Sequence, residues 1–235
     1  MDSIRATARF TGVLYVLMGI PAVFAHYVSR ALIVPGDAAA TARNITAGEL
    51  TWRIGVLSML VSSIFMIFLV LSLYNLLKDV DRKQARLMVM LVAVMVILGL
   101  ANLLNHIAPL ILLSGADFLS VFSKPQLDAL ALGFLTLGSN GTYVGMAFWG
   151  LWLFPFGVLV FKSGFFPKLL GVLLIVGCFA YLTVSFTSIV LPAHTHGVNL
   201  VMLPFYAIGE ASMMIWLLVK GAKVQLSPSG IQRDA

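Results

Sequence analysis

Six long apolar runs divide this chain, at residues 10–29, 54–77, 87–113, 130–161, 169–191 and 200–219. Each meets the roughly 20 residues that an α-helix needs to cross the hydrocarbon core of a bilayer. In that medium each backbone polar group must be satisfied within its own segment, so such runs fold as helices. Composition agrees. The 235 residues are 60% hydrophobic and only 10% charged, against about 25% charged in soluble domains. A soluble fold of this size could not hide so much apolar surface. The expected class is therefore all-α: a polytopic membrane helix bundle of about six transmembrane helices.

The cations report how the runs are threaded. Arg5, Arg9, Lys78, Arg82, Lys83, Arg86, Lys162, Lys168, Lys220, Lys223 and Arg233 fall on one side, and Arg30, Arg43, Arg53 and Lys124 on the other. This asymmetry predicts that the N- and C-termini are both cytoplasmic. The net charge of +6 thus reads as topology and calls for no nucleic acid. The expected partner is the lipid bilayer, with the basic segment 78–86 meeting anionic headgroups. Run 10–29 follows Arg5 and Arg9 but exceeds the 7–15 apolar residues, roughly, of a signal peptide, which predicts an uncleaved first span. Cys178 is the one cysteine, so no intramolecular disulfide forms. The expected organisation is a single transmembrane domain over residues 1–224 and a polar, disordered cytoplasmic tail over 225–235.

Local signals add detail outside and inside the spans. Asp37 is placed to cap a short surface helix through Arg43. Ser123-Lys124-Pro125-Gln126 is a capping-box pattern that starts the fourth helix before its apolar run. Unbroken from there to Phe161, that helix would measure about 57 Å at 1.5 Å per residue. This length predicts a break or kink at Gly138-Ser139-Asn140-Gly141, and a bend at Pro155. Gly145 and Gly150 are expected to admit a neighbouring helix, as is the small-residue stripe Tyr15, Gly19, Ala22, His26. The aromatic stretch 148–156 reads as packing and lipid contact, or as the lining of a lipid or quinone pocket.

Function is concentrated in few residues. Glu210 stands mid-way along the last run, where insertion scales charge roughly 2.5 kcal/mol or more for a carboxylate. No Lys or Arg shares its depth. Counting from the basic end of each run places His26, His106, His194 and His196 in the outer half, with Glu210 beneath them. Asn102 and His106 share a helix face, with Asn105 beside them, and so do Tyr206 and Glu210. These positions predict an outward-facing polar pocket built from His26, Asn102, His106, Asn140, Tyr206 and Glu210. It would serve binding or transport of a small molecule or lipid, proton-linked through Glu210. A second expectation is a metal-dependent intramembrane hydrolase. His106, His194, His196 and His26 would be its ligands, a donor set suited to zinc, with axial haem ligation by two histidines a further option. A third is a non-catalytic accessory subunit in which the same polar groups only hold helices together. The chain has no phosphate-binding loop, dinucleotide fingerprint, nucleophile elbow, CxxC or HExxH motif. Substrate, oligomeric state and helix order are written in no local pattern.

Several segments carry a family likeness. They are Arg9-Phe10-Thr11-Gly12-Val13-Leu14-Tyr15, Asp37-Ala38-Ala39-Ala40-Thr41-Ala42-Arg43-Asn44-Ile45 and Leu73-Tyr74-Asn75-Leu76-Leu77-Lys78. To these are added Ser163-Gly164-Phe165-Phe166-Pro167-Lys168-Leu169-Leu170-Gly171 and the pair Gly209-Glu210. In this order and spacing they resemble a bacterial family of small multi-span inner-membrane proteins known only as a domain of unknown function. The resemblance implies a bacterial inner membrane and implies no reaction.

Overall fold

The computed structural model describes residues 2–222, so the expected tail 225–235 lies outside the described residues. Helix boundaries follow their caps. Asp37 accepts from the backbone N–H of Ala40 at 2.8 Å and opens α2 (Ala38–Ala47). Asp81 accepts from Gln84 N–H at 3.2 Å and opens α4 (Arg82–Leu112). The Ser123 N–H donates to Gln126 Oε1 at 2.8 Å at the head of α5 (Lys124–Lys162). The remaining helices are α1 (Asp2–Leu32), α3 (Glu49–Leu77), α6 (Lys168–Val190) and α7 (Thr195–Val219), with 3-10 turns at Asp117–Leu119 and Pro192–His194. No strand occurs among the described residues. Among the described residues six helices, all but the short α2, are long and apolar enough to cross a membrane.

Helices extend past their apolar runs where polar side chains support the extra turns. Glu49 and Arg53 pair at 2.7 Å across one turn, so α3 begins before Ile54. The break expected at 138–141 does not occur: α5 is continuous over 39 residues, about 58 Å of helix at 1.5 Å per residue. Two contacts explain the glycines there. A Cβ on Gly141 would lie 2.4 Å from Asn102 Oδ1, and one on Gly138 would lie 3.1 Å from His106 Nε2. They are seats for α4 side chains. The surplus length of α5 runs alongside α2.

The spans form a ring. Each packs on its neighbours in the order α1, α3, α4, α5, α6, α7, and α7 closes on α1. The most extensive contact joins α5 to α6. There a Cβ on Gly157 would meet the Gly171 carbonyl oxygen at 2.7 Å, and one on Gly171 would meet the Gly157 oxygen at 2.6 Å. Gly150 likewise faces the Cys178 oxygen at 2.7 Å. Such backbone-to-backbone approach is how helices gain dispersion contact in lipid, where the hydrophobic effect gives no drive to associate. Short polar links stitch α1 to α3: Thr11 and Ser72 hydroxyls at 2.6 Å, and Ser62 Oγ donating to the Met18 carbonyl at 2.9 Å.

The basic ends of the helices meet. Arg9 Nη2 donates to the Val219 carbonyl at 3.3 Å, and Lys162 pairs with Asp81 at 3.2 Å. On this side the ring is filled by fully buried Leu69, Leu73, Leu77, Met88, Trp152 and Phe156, part of a continuous apolar core drawn from all six spans. Toward the other end the filling thins: Asn199, Met202, Tyr206 and Glu210, along one side of α7, are only half-buried.

Candidate functional site

Glu210 is where four helices meet. Tyr181 on α6 donates to Oε1 at 2.6 Å. Trp149 Nε1 on α5 reaches both oxygens, at 3.0 and 3.2 Å. Tyr15 on α1 donates to Oε2 at 3.3 Å. Because α5 and α7 are not neighbours in the ring, the Trp149 bonds reach across its interior past α6. Gly209 makes the meeting geometrically feasible: a Cβ there would lie 2.8 Å from the Leu173 carbonyl oxygen, so α7 rides directly on the α6 backbone beside the carboxyl. Tyr206, one turn from Glu210, turns its ring rather than its hydroxyl to the cluster. It stacks on Tyr181 with centroids 4.1 Å apart and planes 18° from parallel, while its hydroxyl donates to Asn199 at 3.0 Å.

The chemistry is one-sided. Three neutral donors supply four contacts to an acceptor with about four lone-pair positions. The indole N–H can only donate, so this shell matches a carboxylate in shape and polarity. No cation joins it: the ion pairs among the described residues are Arg53–Glu49, Lys124–Asp128 and Lys162–Asp81.

One turn further from the basic ends, space opens. Gly19 follows Tyr15 by four residues on α1, and Gly145 precedes Trp149 by four on α5, so each shares a face with a Glu210 donor. A Cβ at either would meet nothing within 4 Å. Of the close approaches expected at Gly145, at Gly150 and along the Gly19 stripe, the one at Gly150 is made, while Gly145 and Gly19 face open space; on α1 the close approach falls at Gly12, whose Cβ would lie 2.8 Å from the Leu218 backbone nitrogen.

The other expected site residues separate into two groups. Asn102 and His106 belong to a joint between α3, α4 and α5. Asn102 Nδ2 donates to the Gly138 carbonyl at 2.9 Å and the His106 carbonyl accepts from Trp52 Nε1 at 2.9 Å. The His106 ring is buried at 8% exposure and lies 6.0 Å from the Trp52 ring. His26 and Asn140 are exposed and enter neither network. His194 lies in a 3-10 turn and His196 in the first turn of α7. Among the described residues no three His, Cys, Asp or Glu side chains gather as a group that could hold a metal ion. The hydroxyls of Thr183 and Ser188 bond back to their own helix, at 2.8 Å to Phe179 and 2.6 Å to Ser185.

Tyr15, Trp149 and Tyr181 were not singled out from the sequence as partners of Glu210. A depth count could have found two of them. Trp149 and Tyr181 each lie thirteen positions from Lys162 and Lys168, the basic ends of their helices, close to the ten that separate Glu210 from Lys220. A mid-span carboxyl needs donors at its own depth, and these are polar-edged aromatics at that depth.

Fold and site together define a multi-pass membrane protein: a ring of six apolar helices locked around a central carboxyl. The chain belongs to the family described as Domain of unknown function (DUF4386), which it matches over residues 10–221. It is also similar to an uncharacterized protein of the archaeon Archaeoglobus fulgidus, 35% identical over 81 residues, covering 34% of this chain and 46% of that relative. The match thus spans less than half of the relative's length. No solved structure matches.

Proposed function

We propose that this chain is a ligand-binding or transport-type protein of the bacterial inner membrane, folded as one transmembrane domain with both termini cytoplasmic. Its site is a cleft inside the ring that opens to the outer face and is floored by Glu210. One observation carries this reading. A half-buried carboxyl holds donors from three other helices, while the faces of α1 and α5 directly above it carry glycines with empty space in front of them. A purely structural polar knot would be packed over, because filled volume is what holds helices together in lipid. The eleven cations assigned to the inner side and the contacts among the basic helix ends support the orientation.

The test is accessibility. In a Cys178→Ala background, Gly145→Cys and Gly19→Cys react with a membrane-impermeant maleimide added outside intact cells, and Leu153→Cys, at a fully buried position, does not. Reaction of the two glycine positions only from the cytoplasmic side, or only after detergent solubilisation, would contradict an outward cleft.

A further inference from the structure

We propose that the Glu210 site takes a quaternary organic cation, such as an alkyl- or aryl-trimethylammonium headgroup. This rests on the outward cleft just described and names its ligand class. The argument begins with charge. Among the described residues Glu210 has no cationic partner, and their Lys and Arg side chains stand near the ends of the spans. A carboxylate at this depth calls for a countercharge, since an unpaired one in low dielectric is costly. The donors around it are neutral and leave that charge uncancelled.

The hydrogen bonds then narrow the class. Oε1 already accepts from Trp149 and Tyr181, and Oε2 from Trp149 and Tyr15. A primary ammonium must place its N–H groups on acceptors and would find these occupied. A hard divalent ion needs six or so oxygens, and among the described residues no three His, Cys, Asp or Glu side chains gather here to supply them. A quaternary ammonium has no N–H to satisfy and is weakly hydrated. It needs only a negative field and electron-rich ring faces.

Those faces are present. Tyr15, Trp149 and Tyr181 direct their polar edges onto one carboxyl, so their rings radiate from it. Trp149 and Tyr181 are inclined at 52° with centroids 6.5 Å apart, giving rings in two orientations, and Tyr206 covers one face of Tyr181 by stacking on it, so the wall on that side is the Tyr206 ring. Trp149, Tyr181, Tyr206 and Glu210 are all half-buried, whereas Tyr15 is buried at 3% exposure. The cluster is thus less enclosed on its α5, α6 and α7 sides than at Tyr15, and Gly145, with open space before it, stands one turn from Trp149.

The experiment is calorimetric titration of benzyltrimethylammonium into the detergent-purified full chain, with the Gly145→Cys maleimide reaction run with and without the same cation. Saturable binding is expected, with protection of Gly145→Cys, loss of binding in Glu210→Gln, and binding weakened roughly tenfold in Tyr206→Leu. If Glu210→Gln does not yield monodisperse protein, Tyr206→Leu decides, and unchanged affinity there overturns the proposal. Unchanged binding in a well-folded Glu210→Gln also overturns it, since the cation then sits elsewhere. Gly145→Cys that labels from outside while wild type binds no cation overturns the ligand class and leaves the cleft standing. Gly145→Cys that never labels from outside removes the cleft, and the ligand proposal with it.

Discussion

At the scale of single residues, the carboxyl of Glu210 is the hub and its donors are unequal. Tyr181 makes the shortest contact, 2.6 Å, and also supports the Tyr206 ring. Tyr181→Phe keeps the stack and loses the bond. It is expected to lower stability by about 1–2 kcal/mol, between the average for interhelical bonds in membranes and the value for bonds to charged groups. Tyr15→Phe, which gives up a 3.3 Å contact, should cost less. Thermal unfolding of the two variants in one detergent measures the difference, and an equal or reversed order would mean that the short contact does not organise the hub. Asn102→Ala removes the bond to the Gly138 carbonyl and should cost on the order of 0.6 kcal/mol, up to about 1.7. It lies in the α3–α4–α5 joint, apart from the hub, so its effect should add to that of Tyr181→Phe within about 0.5 kcal/mol in the double variant.

Elements are held by what glycine leaves out. At Gly157 and Gly171 the neighbours include each other's backbone oxygen, with Ile175 as close to Gly157 and the Phe161 backbone beside Gly171, and the backbone atoms cannot move aside without separating α5 from α6. Gly157→Ala is expected to destabilise by roughly 1–3 kcal/mol through overpacking. Gly145→Ala enters open space in a helix interior, where Ala is favoured over Gly by about 0.5–1 kcal/mol, and should be neutral or stabilising. The same unfolding assay compares the two, and equal losses would refute the distinction between glycines at a close approach and glycines facing open space. At the basic ends, the Gln84 backbone N–H and then the Lys162 ammonium hold the Asp81 carboxyl below its ordinary range. A carboxyl lowered by folding adds stability above its unfolded pKa, near 4, and loses it as pH falls through the lower folded value. The tie between α4 and α5 should therefore weaken only in acid, below about pH 4. Asp81→Asn keeps the cap and should flatten that acid limb, as a pH series of unfolding midpoints would show.

For the whole molecule, the ring gives one polar cluster a long reach: α1 and α5 are not neighbours, so a hub on α7 that bonds both, and α6 between, ties four of the six spans together. Orientation is a property of this scale too. Reporter fusions to the two ends should both read cytoplasmic, and opposite readings would overturn the even number of crossings. The sequence by itself determined the helical class, the six crossings, the Asp37-capped α2 and the extended start of α5, because hydropathy, charge asymmetry and caps are local and the bilayer imposes length directly. It marked Glu210 for the same reason, since a carboxyl among apolar neighbours is conspicuous in one dimension. The order of helices around the ring was decided only by tertiary packing, and with it the partners of Glu210. The same glycine reads as a break, a seat or an opening depending on what faces it. Gly141 proved to be a seat for Asn102, and Gly145 an opening. Tyr206 shares a face with Glu210 in sequence, yet its hydroxyl goes to Asn199. The donors come instead from positions 15, 149 and 181, on three other helices. Each residue's neighbours along the chain are set by the helical repeat, but its neighbours in space are set by which side chains can fill the shared volume between helices, and that is a property of all six at once.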